Sequence, residues 1–373
     1  MATAAEDRVT SGGRWARLEL PWGQSLDIVV PPSGDLIGDH VQRSGGYFPP
    51  TFDVALAMLE PGAVVLDLGA HLGTFSLAAA GRGHSVLSVE ASPRNAAFLR
   101  ASARANGFDD LRVAEVAVSD APGVVRFRHE GAWGQVSAGW SPGLVEVQAD
   151  TVSRVLGSHG VERVDLVKLD VEGSEIAAIE GMQDLLTGPD APPVVYEANA
   201  HTLRMFGATP EDLIAAFAQL GYANYLIGDG DLMPVTPQSF QPDTCVDYLA
   251  VKGELVPPAG WALRRARSEQ ELARVVALES GLHVVDARAQ VARSLERAPE
   301  SLLARRDVQL ALTALALDPD DTVARAAAWW PERADRPGRG GEEIRRGLHA
   351  LAELGRAFHD RLAQIRIRWG LRP

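Results

Sequence analysis

Five carboxylates and one lysine stand where apolar runs end, the positions at which a folded α/β chain presents chemistry. Asp67 lies in Val64-Val65-Leu66-Asp67-Leu68-Gly69-Ala70-His71-Leu72-Gly73, and Glu90 closes Ser85-Val86-Leu87-Ser88-Val89. Lys168 and Asp170 close Val164-Asp165-Leu166-Val167-Lys168-Leu169-Asp170, Glu172 follows, and Glu197 closes Val194-Val195-Tyr196. An apolar run that ends in a glycine turn reads as a buried strand handing the chain to a helix N-terminus, a geometry that binds nucleotide-like ligands. Gly69 permits the tight turn, Gly73 admits close backbone approach, and Asp67 sets a carboxylate where an amino group or hydroxyl could be held. Glu90, seventeen residues past Gly73, suits two ribose hydroxyls.

Two ligands compete for this pattern. A dinucleotide wants G-x-G-x-x-G, and counted from Gly69 the chain offers His71 and Thr74 at the second and third glycine positions, so the backbone cannot lie flat against a pyrophosphate. S-adenosylmethionine has no phosphate but a cationic sulfonium and an amino-acid end, which D-x-G-x-x-x-G with a later acid accommodates. A glycine turn with no ligand is the third reading.

Lysine is scarce, since the chain has 34 arginines but only Lys168 and Lys252. Two residues apart on one strand, Lys168 and Asp170 share a face. A buried Lys168 needs a carboxylate partner, and it reads equally as a structural ion-pair member and as a catalytic group.

The elements that must carry these residues alternate. Ser92-Pro93 caps a helix running to Asn106-Gly107, and strands are expected at Leu111–Val118, Val124–His129 and Leu144–Gln148. Val164–Asp170 reads as a strand followed by a helix over Gly173–Leu186, and Val194–Glu197 as the next strand. A helix opens at Thr209-Pro210 and stops by Gly221, with strands near Tyr222–Ile227 and Val246–Val251. That order predicts an α/β fold with a mostly parallel sheet covered on both faces. Asp67, Glu90, Asp170 and Glu197 then converge outside the C-terminal strand ends, where such sheets bind ligands.

The wider composition fits an enzyme. The 373 residues are 46% apolar and carry a net charge of −13, which disfavours nucleic acid as a partner. Met1–Gly13 lacks the apolar core of a signal peptide and no run approaches the ~20 apolar residues that span a bilayer, so a cytoplasmic location and no membrane partner are expected. The single cysteine, Cys245, excludes an internal disulfide and a multi-cysteine zinc site and reads as a strand residue.

Charge divides the chain. Beyond Glu254 there are 20 arginines and 16 acidic residues, net +4, which leaves 16 basic and 33 acidic residues, net −17, over 1–254. Leu255-Val256-Pro257-Pro258-Ala259-Gly260 reads as the linker between a catalytic domain, 1–254, and a helical segment, 255–373. Within the latter, Pro299–Leu317 and Asp321–Trp330 suggest two helices. From Glu342, Ile344, Leu348, Leu351, Phe358, Leu362, Ile365 and Trp369 form a four–three stripe broken at Gly355. The stripe fits a helix packed on its own domain, or association with a second copy or a protein partner.

The chain resembles the FkbM-type S-adenosylmethionine-dependent methyltransferases over about residues 35 to 253. The resemblance is carried by Asp35-Leu36-Ile37-Gly38, Gly46-Tyr47-Phe48, Val65–Gly73, Val89-Glu90-Ala91-Ser92-Pro93-Arg94-Asn95, Ala117-Val118-Ser119-Asp120 and Lys168-Leu169-Asp170-Val171-Glu172-Gly173-Ser174-Glu175. The Lys-x-Asp-x-Glu-Gly run is the most selective of these. The resemblance implies a Rossmann-like class I methyltransferase fold with a mostly parallel seven-stranded sheet. It implies a methyl donor bound by Asp67, Gly69 and Glu90, with Ala70, His71, Gly73, Ala91, Ser92 and Val118 around it, and methylation of a hydroxyl, often on a sugar or polyketide-type metabolite. His71 departs from the usual asparagine, bringing a proton labile near neutral pH.

Methyl transfer is an in-line displacement that needs nucleophile, carbon and sulfur held in line. A neutral hydroxyl is a weak nucleophile, so a base should take its proton; Asp170, Glu172, His71 and His201 are the candidates. Asp170 is preferred for its place at the strand tip, against the alternative of capping the next helix. Glu172 and Glu175 also read as first-turn acids favoured by the helix dipole. Asp170, Glu172 and Glu197 could instead gather magnesium or calcium, although a metal-free site is the preferred reading. Tyr47, Trp133, Glu197 and His201 are the candidates for the acceptor side, with Trp133-Gly134-Gln135 reading equally as a hairpin turn and His201 as a loop residue. The function expected is O-methyl transfer to a small metabolite or glycan. A non-catalytic S-adenosylmethionine-binding or assembly protein and a nicotinamide-dependent dehydrogenase are the alternatives.

Overall fold

Apolar runs bounded by glycine turns and capped helices build this protein, seen in a computed structural model that describes residues 12–128, 135–136, 144–228, 230–239 and 245–265. Trp133, the two helices expected within 299–330 and the stripe beyond Glu342 lie outside the described residues. By compactness the chain divides into residues 1–238 with 247–265, and residues 239–246 with 266–373.

A hairpin of β1 (Arg14–Glu19) and β2 (Ser25–Val30) opens the fold. It is tied to the first half of the sheet by side chains of a later helix: Ser102 Oγ accepts from Val29 N at 2.9 Å, and Asn106 both accepts from and donates to the Asp27 backbone. Next come α1 (Leu36–Ser44), N-capped by Asp35, and α2 (Pro50–Ala57). The order then runs β3 (Val64–Leu68), α3 (Thr74–Gly81), β4 (Ser85–Val89), α4 (Pro93–Ala105) and β5 (Leu111–Ala114). Four short strands follow outside the main sheet, apart from their linking segments: β6 (Ala117–Val118), β7 (Gly123–Arg128), β8 (Gln135–Val136) and β9 (Leu144–Asp150). The second half contains α5 (Val152–Ser158), β10 (Leu166–Leu169), α6 (Glu175–Gly181), α7 (Gln183–Thr187), β11 (Val194–Asn199), α8 (Ala200–Met205), α9 (Pro210–Gln219) and β12 (Tyr222–Ile227). It ends with β13 (Asp231–Val235), β14 (Cys245–Lys252) and β15 (Ala262–Leu263).

The main sheet has the order β5-β4-β3-β10-β11-β14-β12-β13-β15. Its first five strands are parallel. The chain moves outward from β3 through β4 to β5, then returns to the other side of β3 with β10 and β11. That reversal between β3 and β10 is the point at which doubly wound sheets bind ligands. The sheet is mostly parallel as expected, but the far half corrects the strand number: among the described residues there are nine strands in place of seven, and β12 runs antiparallel to both β13 and β14. The turn from Ile227 to Asp231, closed by Gly228 N donating to Asp231 O, is too short for a parallel crossover, so the pair must be antiparallel.

Two further expectations change. The run Leu111–Val118 divides into β5 and β6, and β6 joins β9, β7 and β8 in a separate four-stranded sheet. The helix expected over Gly173–Leu186 is interrupted at Met182, where α6 ends and α7 begins. A side chain at Gly181 would collide with the Ser119 carbonyl, so helix and loop meet backbone to backbone at the break.

Strands buried on both faces read as near-continuous apolar runs, and β3, β4 and β10 are of that kind. Their polar exceptions therefore stand out. Lys168 of β10 is opposite Asp67 of β3, which is opposite Ser88 of β4, and all three are buried. Ser76 of α3 completes the row, donating from Oγ to Asp67 Oδ2 at 2.6 Å and meeting Ser88 Oγ at 2.7 Å. None of the described helices is long and apolar enough to cross a membrane.

Candidate active site

The site begins where β3 ends. Gly69 takes φ +77 and Gly73, the N-cap of α3, takes φ +83, backbone that L side chains rarely adopt. A side chain at Gly69 would also run into the Asp170 carbonyl and one at Gly73 into Leu99, so both glycines are required by packing as well as by the turn. Gly69 N and Ala70 N donate to Val89 O at 2.9 and 3.1 Å, which joins the tip of β3 to that of β4.

His71, between the glycines, also has a left-handed backbone, φ +54. Asparagine and histidine are among the few residues enriched there, which gives a physical reason for histidine to stand where the resemblance implies asparagine. Its amide donates to Glu90 Oε2 at 2.7 Å, and its Nε2 stands 2.8 Å from Asp35 Oδ2. Burial opposes protonation of the ring, but the hydrogen bond and charge of Asp35, with Glu90 and Asp170, outweigh it and raise the imidazole above its ordinary value. For Asp35 burial acts upward, yet the His71 bond and charge and the Gly38 amide hold the carboxyl below its ordinary value.

Glu90 sits at the tip of β4. Its Oε1 accepts from Ser92 N at 2.8 Å while Oε2 takes the His71 amide. Burial pushes its carboxyl upward against the opposing pull of His71 and the two amides. Ser92 is the N-cap of α4, accepting from Asn95 N, as the Ser92-Pro93 pair predicts. Ala91 packs on Ala117, Val147 and Ala149, and Val118 is buried in β6 beside them.

At the tip of β10 the Lys168 ammonium donates to Asp170 Oδ2 at 3.0 Å and lies 3.5 Å from both Gly69 O and Asp67 Oδ1. Burial would neutralise this lysine, but Asp170 and Asp67 outweigh it and raise its pKa, so it stays an ammonium. Asp67 is fully buried, its carboxyl raised by that burial, and its partners are the chain's own Ser76 and Lys168.

The turn after Asp170 puts Glu172 at φ +51. Burial, with the like charges of Asp170 and Glu175, pushes the Glu172 carboxyl well above the ordinary range, and its Oε2 is buried without a hydrogen-bond partner. Asp170 does not cap the following helix. The N-cap is Ser174, and Glu175 in the first turn braces the loop before it, Oε1 accepting from Val171 N at 3.2 Å and Gly173 N at 3.1 Å, while burial pushes its carboxyl up to about 7. Asp170, Glu172 and Glu197 each bring a carboxylate oxygen within 4.8 Å of the other two, an acidic wall beside the Lys168 ammonium.

The expected acceptor residues are spread more widely. Tyr47 is half-buried against Phe52 and His40 in an aromatic cluster with Phe48 and Trp22. His201 is exposed in the first turn of α8, where Asn199 caps its amide. Two features escaped the sequence reading: the Asp35–His71 pair, whose members are 36 residues apart, and the Glu175 brace on its own turn.

Residues 67–223 match the model of the methyltransferase FkbM domain. These residues form an FkbM methyltransferase domain. The match begins at Asp67 and contains Glu90, Lys168, Asp170, Glu172 and Glu197, so it spans the whole converging set. A search of curated proteins finds no match. Among solved structures, precorrin-6y C5,15-methyltransferase from Geobacter metallireducens is 14% identical, over 54% of this chain and 86% of its own, with a TM-score of 0.32. A TehB-like SAM-dependent methyltransferase from Corynebacterium glutamicum is 14% identical over 58% and 94%, TM-score 0.35. A SAM-dependent methyltransferase from Aquifex aeolicus is 8% identical over 54% and 89%, TM-score 0.33.

Proposed function

We propose that the FkbM domain is an O-methyltransferase that moves a methyl group from S-adenosylmethionine to a hydroxyl of a small metabolite or glycan, of sugar or polyketide type. The observation that carries the reading is the convergence of Glu90, Lys168 and Asp170 at the β3/β10 reversal within the matched residues. The donor set fits the cofactor's chemistry, because a buried carboxylate beside the glycine turn suits ribose hydroxyls. An acidic wall that includes the unpartnered Glu172 Oε2 suits a molecule bearing a sulfonium and an ammonium. When bound, that molecule supplies an activated methyl group.

The residues divide the remaining work. Glu90 and the Gly69–Gly73 turn, with Ala70, Ala91, Ser92 and Val118 nearby, hold the donor. Lys168 stays charged and so is a positioning group, not a base: its ammonium anchors one oxygen of Asp170, whose side chain remains 32% exposed. Asp170 is then the group that takes the acceptor's proton, a role commonly worth ~10²–10⁴-fold in rate. Asp67 acts through Lys168. Tyr47, Glu197 and His201, with Trp133, are proposed for the acceptor side. The segment 255–373 is proposed as a separate association module, and the cytoplasm as the protein's location.

Incubation with methyl-labelled S-adenosylmethionine and small-molecule extracts tests the reading. The expected result is label in a product that survives base and carries an ether methyl. Donor binding without any transfer would favour the non-catalytic binding protein instead.

A further inference from the structure

We propose that Asp35 is a positioning residue of the donor site, acting through His71 on Glu90; the proposal rests on the donor reading above.

The Gly69–Gly73 turn has to aim the amide of residue 71 at the Glu90 carboxylate, and it does so only with residue 71 in left-handed backbone, φ +54. That conformation disfavours a side chain unless its surroundings hold it. In this chain the hold comes from outside the FkbM match. Asp35, the buried N-cap of α1, divides its two oxygens: Oδ1 accepts from Gly38 N at 2.7 Å, fixing the carboxylate to its own helix, and Oδ2 meets His71 Nε2 at 2.8 Å, fixing the ring. The ring is only 17% exposed, so solvent offers little competition for that contact. The His71 amide then donates to Glu90 Oε2 at 2.7 Å, and Ser92 N holds the other oxygen at 2.8 Å. Asp35 thereby sets the orientation of a carboxylate that its own side chain does not contact.

The same geometry states when Asp35 should matter. Asparagine enters left-handed backbone readily, and its short side chain has no ring to anchor. Asp35 is therefore needed with histidine at position 71 and dispensable with asparagine there.

The test is a double-mutant cycle read by calorimetric titration of S-adenosylmethionine into the full chain. Asp35→Ser keeps a capping oxygen for Gly38 but is too short to reach His71, and Asp35→Asn is the second variant should the first be unstable. Asp35→Ser is expected to weaken donor binding about tenfold, the scale of one hydrogen bond to a charged group. In the His71→Asn background the same change is expected to shift the affinity less than twofold. A merely structural role would lower the melting temperature in both backgrounds and leave the affinity unmoved, which overturns the proposal, as does an equal loss of affinity in both. No binding to the unsubstituted chain overturns the donor reading together with it, whereas binding that ignores Asp35 overturns this proposal alone.

Discussion

Lys168 and Asp170 meet at 3.0 Å at the tip of β10, while the other side of the same ammonium faces Asp67, which has no exposure at all. The lysine thus joins a sealed carboxylate to one at the surface of the site. Removing one partner of a buried ion pair leaves the other charge uncompensated and typically costs ~3–5 kcal/mol. Lys168→Met, close in volume, should lose stability on that scale in chemical denaturation, and an unchanged midpoint would mean that Asp67 does not need the ammonium.

Asp170→Asn should fold and bind the methyl donor nearly as the parent does, while turnover falls ~10²-fold or more. Because Glu175, not Asp170, braces the turn ahead of α6, the substitution removes no helix cap. Single-turnover rates check it. Normal turnover would move the base to Glu172 or His71.

Much of this architecture was legible in the chain because its parallel strands are buried on both faces, so apolar runs ending in glycine or acid marked β3, β4, β10 and β11 directly. Asp170 and Lys168 could be paired from the two-residue spacing alone. The antiparallel far edge was less legible, since Tyr222–Ile227 reads as a strand whatever its direction, and only the short turn to Asp231 decides it. Nor does sequence reveal that Glu172 takes left-handed backbone, or that Glu175, a first-turn acid as its position predicts, also turns back onto Val171 and Gly173. Asp35 and His71 were visible one by one; their pairing depends on how α1 packs beside the β3 turn, which no local pattern encodes.

The Asp35–His71 pair also predicts how stability varies with pH. His71, facing Asp35, Glu90 and Asp170, is raised above its ordinary 6.5, so its contribution is complete below that value and is lost as pH rises through the folded value. Asp35 is lowered from 3.8, so its contribution is present above that value and is lost as pH falls through the folded one. Between those limits both contribute. Denaturation midpoints measured from pH 5 to pH 9 should fall on the alkaline side in the parent chain, and His71→Asn should remove that part of the decline. An identical profile in both proteins would show that the pair is not titrating.

Binding of S-adenosylmethionine at the β3/β10 reversal, with Glu90 on its ribose, is open to titration calorimetry of the full chain against its Glu90→Ala variant. One donor site per chain is expected, with affinity falling ten- to a hundredfold in the variant, the equivalent of ~1.5–3 kcal/mol for a charge-assisted hydrogen bond. Equal affinity in the two proteins, or no heat of binding in the parent, would contradict it.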